Sequence, residues 1–352
     1  MTRFINWTAA DLEKSDDWIF VLEPEVVDEI IEQSQRLAHL STDLLSIDQS
    51  KFKLSENASN AFRQAIEKSQ KDYSLALIRG FPADRLNEQE FRVACWGVGL
   101  YMGLVRPQNV AGDLITDVRN ANTGKYRVVN GRGYNTNSEL DFHIDSGDVV
   151  LLFCRREAKS GGQSLVANPF TVAQHLLEED PRNEVFLKHQ YPFSLGGFKV
   201  DSKEHYMSPL LEDEPGRSAF RINIKNIING SIQSGITVPQ EYMDFLYKFQ
   251  NLAGSAPFCY RMYLKQGDIQ ILSNFRTIHS RTAFEDYEEP DMKRHLIRLW
   301  LCLSNSQPLP ESWRTPYANI EPGALRGGYR VEVDPRYHDF AKKQCQALGI
   351  RV

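Results

Sequence analysis

Two short segments, Asp141-Phe142-His143-Ile144-Asp145 and Ile278-His279-Ser280-Arg281, constrain the fold of this chain more than any other feature. In an extended strand successive side chains point to opposite faces, so His143 and Asp145 project the same way while Ile144 packs behind them. A further imidazole, His279, follows Asp145 after 279 − 145 = 134 residues. For these three side chains to meet, strands remote in sequence must lie side by side in space. The segment 265–274 reads as a strand followed by a bend, which delivers His279 to that place.

Two imidazoles and one carboxylate form the donor set that holds Fe(II) on one face and leaves three positions open, unlike a structural zinc site closed by four protein ligands. A His-x-Asp pair is cheap by itself, because a chain with eight histidines also produces it as a hydrogen-bonded surface pair. Its surroundings give it weight. Gly161-Gly162-Gln163-Ser164 follows the ligand segment, and Arg294-His295-Leu296-Ile297-Arg298 follows His279. Alone, Gly161-Gly162 is a hairpin turn, since glycine permits positive φ. Residues 294–303 have the apolar, aromatic texture of a buried strand, and a spacing of four puts Arg294 and Arg298 on one face. Their backbones then stand about 13 Å apart, which suits two different anions better than one. A guanidinium in an apolar strand needs a partner to offset desolvation: a bound carboxylate, or a protein acid such as Asp286, Glu288 or Glu289.

In this order the elements resemble the taurine dioxygenase-like (TauD/TfdA) group of Fe(II)- and 2-oxoglutarate-dependent oxygenases, which includes the clavaminate synthase-like enzymes. The resemblance runs from about residue 73 to about residue 303. The family pattern is His-x-Asp or Glu, a Gly-Gly-x-Thr/Ser turn, a distal His and then an arginine. Here Ser164 stands where taurine dioxygenase has threonine, which keeps the donor and loses a methyl. The resemblance implies that His143, Asp145 and His279 bind the metal, that Arg294 and Ser164 grip the distal carboxylate of 2-oxoglutarate, and that Arg298 meets an anionic group of the prime substrate. It also implies a double-stranded β-helix (jelly roll) core. The expected reaction uses O2 to oxidise, most often hydroxylate, a small polar carboxylate or amino-acid-like metabolite, releasing succinate and CO2. Desaturation or cyclisation would use the same residues. A carboxylate at position 145 argues against the halogenating variants. Two other classes stay open: a non-oxidative, metal-dependent cupin-like enzyme, in which Arg294 and Ser164 lack a purpose, and a non-catalytic scaffold, which the intact donors disfavour.

Composition sets the remaining bounds. With 352 residues, 41% of them hydrophobic, the chain can bury a substantial core, and the pattern favours one integrated domain. Within it, residues 1–72 read as an N-terminal helical segment, 73–307 as the oxygenase core with helical insertions and 308–352 as a C-terminal extension forming a cap or a dimer contact. The expected class is mainly β with flanking helices. Val27, Ile30, Ile31 and Leu37 share a helical face over 23–40, as do Phe91, Ala94, Cys95 and Val98 over 87–103, where Asn87 and Glu90 form a capping box. Residues 73–80 read as a strand, and a helix is expected near 239–252 with another beginning at Asn168-Pro169. The formal charge of −5 offers no basic stripe for nucleic acid. Five scattered cysteines without a CxxC pair point to reduced thiols. The N-terminus lacks the apolar core of a signal peptide, and the strongest apolar run, 149–154, is far too short for a bilayer. A cytoplasmic enzyme with a small-molecule substrate and no membrane partner is expected, with homo-oligomerisation left open. His39, His175, His189, His205, His295 and His338 are expected not to bind iron. The turn-rich segment 131–138 should border the site as a lid or a connection. Arg281 reads more readily as solvated or ion-paired than as a support for the site.

Overall fold

The computed structural model describes residues 6–121 and 133–352. Its principal strands are β1 (Ile19–Val21), β2 (Leu75–Arg79), β3 (Leu104–Val105), β4 (Thr116–Val118), β5 (Leu140–His143), β6 (Val149–Arg156), β7 (Ser164–Ala167), β8 (Cys259–Met262), β9 (Ile269–Ser273), β10 (Ile278–Arg281) and β11 (His295–Cys302). The longer helices are α1 (Pro24–Leu37), α2 (Glu56–Ser69), α3 (Glu88–Met102), α4 (Pro169–Glu179), α5 (Ile224–Ser234), α6 (Gln240–Ala253) and α7 (Arg336–Leu348). A larger sheet runs in the order β1-β2-β9-β6-β11-β3, with β4 also paired to β11, and a smaller sheet runs β8-β7-β10-β5. Every pairing in them is antiparallel except the parallel β1–β2 edge.

The larger sheet is apolar on both faces, and the alternation of its side chains divides the interior into two cores. Ala76, Ile78, Leu151, Phe153, Ile271, Ile297 and Leu299 pack with Val26 and Ile30 of α1, Phe62 of α2, Phe91 and Trp96 of α3 and Phe340 of α7. The intervening residues Leu75, Leu77, Val150, Cys154, Leu272, Leu296 and Trp300 share a second cluster with Leu165, Val166 and Ala167 of β7 and Ile278 of β10. Helices therefore cover one face and the smaller sheet covers the other. Each fully buried Leu, Ile or Phe contributes about 1.5–3 kcal/mol, so a strand such as β11, buried at all eight positions, is a firm base for polar residues.

Local chemistry accounts for the helix starts. Asn87 accepts from the backbone N–H of Gln89 and Glu90 at 3.0 Å each, and Glu90 returns a bond to the Asn87 N–H at 2.8 Å, completing the expected capping box. Asn168 caps α4 in the same way ahead of Pro169. In α1 Val26 is buried and Val27 is partly buried against the same core, and the helix gives way to a 3₁₀ turn at Ala38–Leu40. Residues 1–72 also supply β1, a three-residue edge strand too short to leave an alternating pattern. Among the described residues no helix is long and apolar enough to cross a membrane. The five cysteines are all buried and unpaired.

Candidate metal and carboxylate site

Strand pairing brings the two remote segments together. His279 on β10 lies directly opposite His143 on β5 and opposite Val166 on its other side, and the two imidazole centroids are 4.4 Å apart. Asp145, just past the end of β5, completes a group whose ligand atoms all lie within 4.8 Å of one another. Nε2 of His279 is 3.7 Å from Oδ2 of Asp145. The His-x-Asp spacing and the antiparallel register thus converge as expected.

The donors are presented in forms that suit a cation. His143 Nδ1 lies 2.8 Å from the Asp141 carbonyl oxygen, which can only accept, so the proton sits on Nδ1 and Nε2 keeps its lone pair. Burial, reinforced by His143 and Arg298, pushes His279 down to about 3 against the pull of Asp145, so its ring is neutral near pH 7. Burial alone would raise the Asp145 carboxyl, but Arg298, His279 and His143 outweigh it and hold the group below the usual carboxylate range. Asp145 Oδ2 is buried and has no hydrogen-bond partner among the described residues. That acceptor, with His279 Nε2 3.7 Å away and the lone pair of His143, fits a divalent metal ion.

Neighbouring groups fix the segment that carries two of the donors. Gln250 of α6 accepts from the Phe142 N–H and donates to the Phe142 carbonyl, both at 2.7 Å, closing the free edge of β5. Buried Asn274 accepts from the Asp145 N–H and donates to the Gly147 carbonyl, each at 3.0 Å. Asp148 and Arg326 form an ion pair at 2.7 Å with both side chains fully buried, and Asp148 also accepts from the Leu303 N–H.

The three candidate donors share a cavity of about 60 Å³ with Ser164, Arg281, Arg294 and Arg298, walled by Val118, Leu152, Leu264 and Leu296. Arg294 is buried, and its Nη1 has no hydrogen-bond partner among the described residues. The candidate protein partner Asp286 accepts from the Arg294 backbone N–H instead, at 2.8 Å. Gly161 and Gly162 both have positive φ, +71° and +72°; a Cβ on Gly161 would stand 2.2 Å from the Ala283 carbonyl oxygen, and one on Gly162 would press on Arg294 Nε at 3.3 Å. The turn therefore makes room for the guanidinium. Ser164 donates to Gln270 Oε1 at 3.0 Å. Arg298 donates from Nε to Gln108 Oε1 at 2.8 Å, reaches to 3.5 Å from Asp145 Oδ2 and lies between the rings of Tyr134 and Trp300.

Some placements differ from the sequence reading. Arg281 is buried rather than solvated, and it donates to the Thr136 carbonyl at 2.8 Å and to the Ser138 carbonyl at 2.5 Å. Of the turn-rich segment, Gly131 and Arg132 fall outside the described residues, while Tyr134 lines the cavity. His295 is a buried histidine bonded to Asp117 at 2.7 Å. Gln108, Gln250, Gln270 and Asn274 were not signalled by the sequence: isolated amides carry no spacing rule, and only the tertiary fold sets them against the ligand strand.

Residues 36–300 match the family described as Taurine catabolism dioxygenase TauD, TfdA family. The chain is 28% identical over 313 residues to the FR-33289 synthase of Streptomyces rubellomurinus, an alignment covering 88% of this chain and 92% of that protein. It is 27% identical over 177 residues to the gamma-butyrobetaine dioxygenase of Homo sapiens, covering 46% and 43% of the two chains. Among solved structures, asparagine oxygenase in complex with Fe(II), 2S,3S-3-hydroxyasparagine and succinate superposes with a TM-score of 0.60 at 18% identity, covering 81% of this chain and 93% of that one. The non-heme iron oxygenase OrfP in complex with Fe and L-Arg gives 0.53 at 15% identity, covering 80% and 93%. At these identities the structural likeness is one of fold.

Proposed function

Since the chain belongs to the TauD, TfdA family and is an Fe(II)- and 2-oxoglutarate-dependent oxygenase, we propose that His143, Asp145 and His279 hold its iron and that Arg294 and Ser164 hold the distal carboxylate of 2-oxoglutarate. The two sheets are then the halves of a double-stranded β-helix, with the site between them. The observation that carries this reading is the sharing of one apolar-walled cavity by three converged metal donors and a buried guanidinium whose Nη1 has no partner among the described residues.

When bound, Fe(II), 2-oxoglutarate and O2 supply the oxidation, with one oxygen atom going to the substrate, the other to succinate, and CO2 released. The chain's own residues bind and orient. The Asp141 carbonyl fixes the His143 tautomer, and Asn274 sets the height of Asp145. Arg294 offers a fork to a carboxylate, while the Ser164 hydroxyl joins it by turning from Gln270. Leu152, Leu264 and Leu296 keep water from the far wall.

The prime substrate in this reading is a small polar carboxylate or amino-acid-like metabolite, hydroxylated with its acidic group toward Arg298. Support comes from the inward position of Arg298 and from relatives of the same fold seen with hydroxyasparagine and L-Arg. Desaturation or cyclisation would use the same groups. Five buried, unpaired thiols suit the cytoplasm.

The test is anaerobic addition of Fe(II) and then 2-oxoglutarate, followed by the weak visible absorption of the chelate. A band that saturates at one equivalent, and is lost in His279→Ala, is expected. Zinc-dependent turnover without oxygen uptake would overturn the assignment. For the substrate, an Arg298→Gln enzyme with unchanged apparent affinity would remove the acidic group from the proposal.

A further inference from the structure

A second cationic cavity lies against the same ligand segment. Arg221 follows the short strand Ala219–Phe220 and is only 5% exposed. Its guanidinium carbon is 3.8 Å from the ring centroid of Trp313, 5.0 Å from that of Tyr206, 5.7 Å from that of Phe193 and 5.8 Å from that of Tyr317. Nη1 donates to the Tyr206 hydroxyl, whereas Nε and Nη2 are buried and have no hydrogen-bond partner among the described residues. No ion pair joins Arg221 to a described residue. Arginine does not deprotonate in proteins, so the charge stays. Aromatic faces attract a cation but accept none of its N–H groups, and a buried charge lacking a counter-charge is strongly destabilising.

Beside this guanidinium is a cavity of about 40 Å³ lined by Ser146, Ser194, Asn223 and Asn226, with no aspartate or glutamate in its wall. Such a space holds a head group of a few heavy atoms rather than a whole metabolite. Its polar neighbours have donors to spare. Asn223 Oδ1 accepts from the Asn226 N–H as the cap of α5, which leaves the side-chain NH₂ free to donate, and Ser194 Oγ accepts from the Gly196 N–H while keeping its own proton. Unmatched N–H groups and a fixed positive charge call for an oxyanion.

The cavity is also tied to the metal donors. Ile144 and Ser146 line it, while the alternating residues His143 and Asp145 line the site described above. The hydroxyl of Tyr317, a wall residue, donates to the Asp145 carbonyl at 3.2 Å.

We infer that the Arg221 cavity is an oxyanion-binding site for the acidic head group of a small molecule, on the side of the ligand segment opposite the metal donors. Anion binding at Arg221 does not rest on the oxygenase reading. Carboxylate, phosphonate and sulfonate termini share the required chemistry.

Trp313, in contact with Arg221, provides the readout. Metal-free full-length protein titrated with acetate, methylphosphonate and methanesulfonate should show a saturable change in tryptophan fluorescence, absent in Trp313→Phe, and the probe that saturates first identifies the head group. Arg221→Met should weaken that probe at least tenfold, whereas Arg298→Gln should leave its binding in place. Asn226→Leu, which keeps the guanidinium but removes a neighbouring amide, should weaken it by a smaller factor and serves if Arg221→Met does not fold. No saturable response to any of the three probes, or equal binding by Arg221→Met, overturns the inference. If the visible band of Fe(II) and 2-oxoglutarate never forms, the oxygenase reading fails while the fluorescence titration still decides anion binding.

Discussion

His143, Asp145 and His279 bring their ligand atoms within 4.8 Å of one another, and so do Glu88, Asp117 and His295. The residue types are nearly the same, but the surroundings differ. Asp117 accepts from His295 at 2.7 Å and pairs with Arg92 at 3.1 Å, while Arg119 and Arg155 each stand 3.7 Å from Glu88. Three guanidiniums already balance that cluster, and a divalent ion placed there would meet their charge. Around Asp145 the cationic side chain at hand is Arg298, at 3.5 Å, and the buried Oδ2 has no hydrogen-bond partner among the described residues. Whether histidine and carboxylate make a metal site or an ion-pair network thus depends on what already satisfies their lone pairs.

The sharpest way to break this comparison is to remove one donor from each cluster. Replacing His143 or His279 by Ala should lower Fe(II) affinity by more than about 100-fold, since even residues that only orient a metal ligand are worth 10–100-fold, whereas Asp117→Asn should leave iron stoichiometry unchanged in an anaerobic titration. Equal loss in both would make the two clusters equivalent. Next in size, Arg294→Met should raise KM for 2-oxoglutarate by roughly 100-fold, the loss of charge-assisted hydrogen bonds, while Ser164→Ala should raise it only about 2–10-fold. Similar factors for the two would place the carboxylate elsewhere. Asn274→Ala, which touches no donor atom but frees the Asp145 backbone, should weaken iron about 10-fold with little change in KM for 2-oxoglutarate.

The smallest effect belongs to the paired cluster and concerns stability. Burial raises the Asp117 carboxyl, but the hydrogen bond from His295 and the charge of Arg92 hold it at about 2 against an ordinary 3.8. Because the folded value is the lower one, its contribution is fully present above pH 3.8 and is lost as pH falls towards 2. Asp117→Asn should cost about 1–3 kcal/mol at pH 7, measured by urea unfolding, with the deficit narrowing across that acid window. A deficit independent of pH would show that the carboxylate charge is not what matters.

The convergence of His143, Asp145 and His279 was legible because two simple periodicities carried it: alternation put His143 and Asp145 on one side, and a strand signal before His279 supplied the third. The face shared by Arg294 and Arg298 followed from the same alternation. The amides holding these groups are scattered over a loop (Gln108), α6 (Gln250), β9 (Gln270) and the bend just after it (Asn274), and no spacing rule marks an amide as a support. Arg221 was missed for a related reason: its cage is assembled from Phe193, Tyr206, Trp313 and Tyr317, spread over more than a hundred positions, so nothing near it in the chain distinguishes it from a surface arginine. Helix α1 was readable from its amphipathic face, whereas β1 is too short for any period to register.

The buried contact between Asp148 and Arg326 reaches across the molecule in a practical sense. Arg326 also donates to the Gln307 carbonyl at 2.7 Å, so a single guanidinium fastens the chain's last fifty residues to the bend just beyond Asp145. Truncating the protein ahead of position 326, as one might to trim an apparent appendage, would strand an anion in the interior three residues from Asp145. The far end of the polypeptide acts as a rivet for the catalytic cleft, and shortened versions should be judged by metal retention before their loss of turnover is blamed on chemistry.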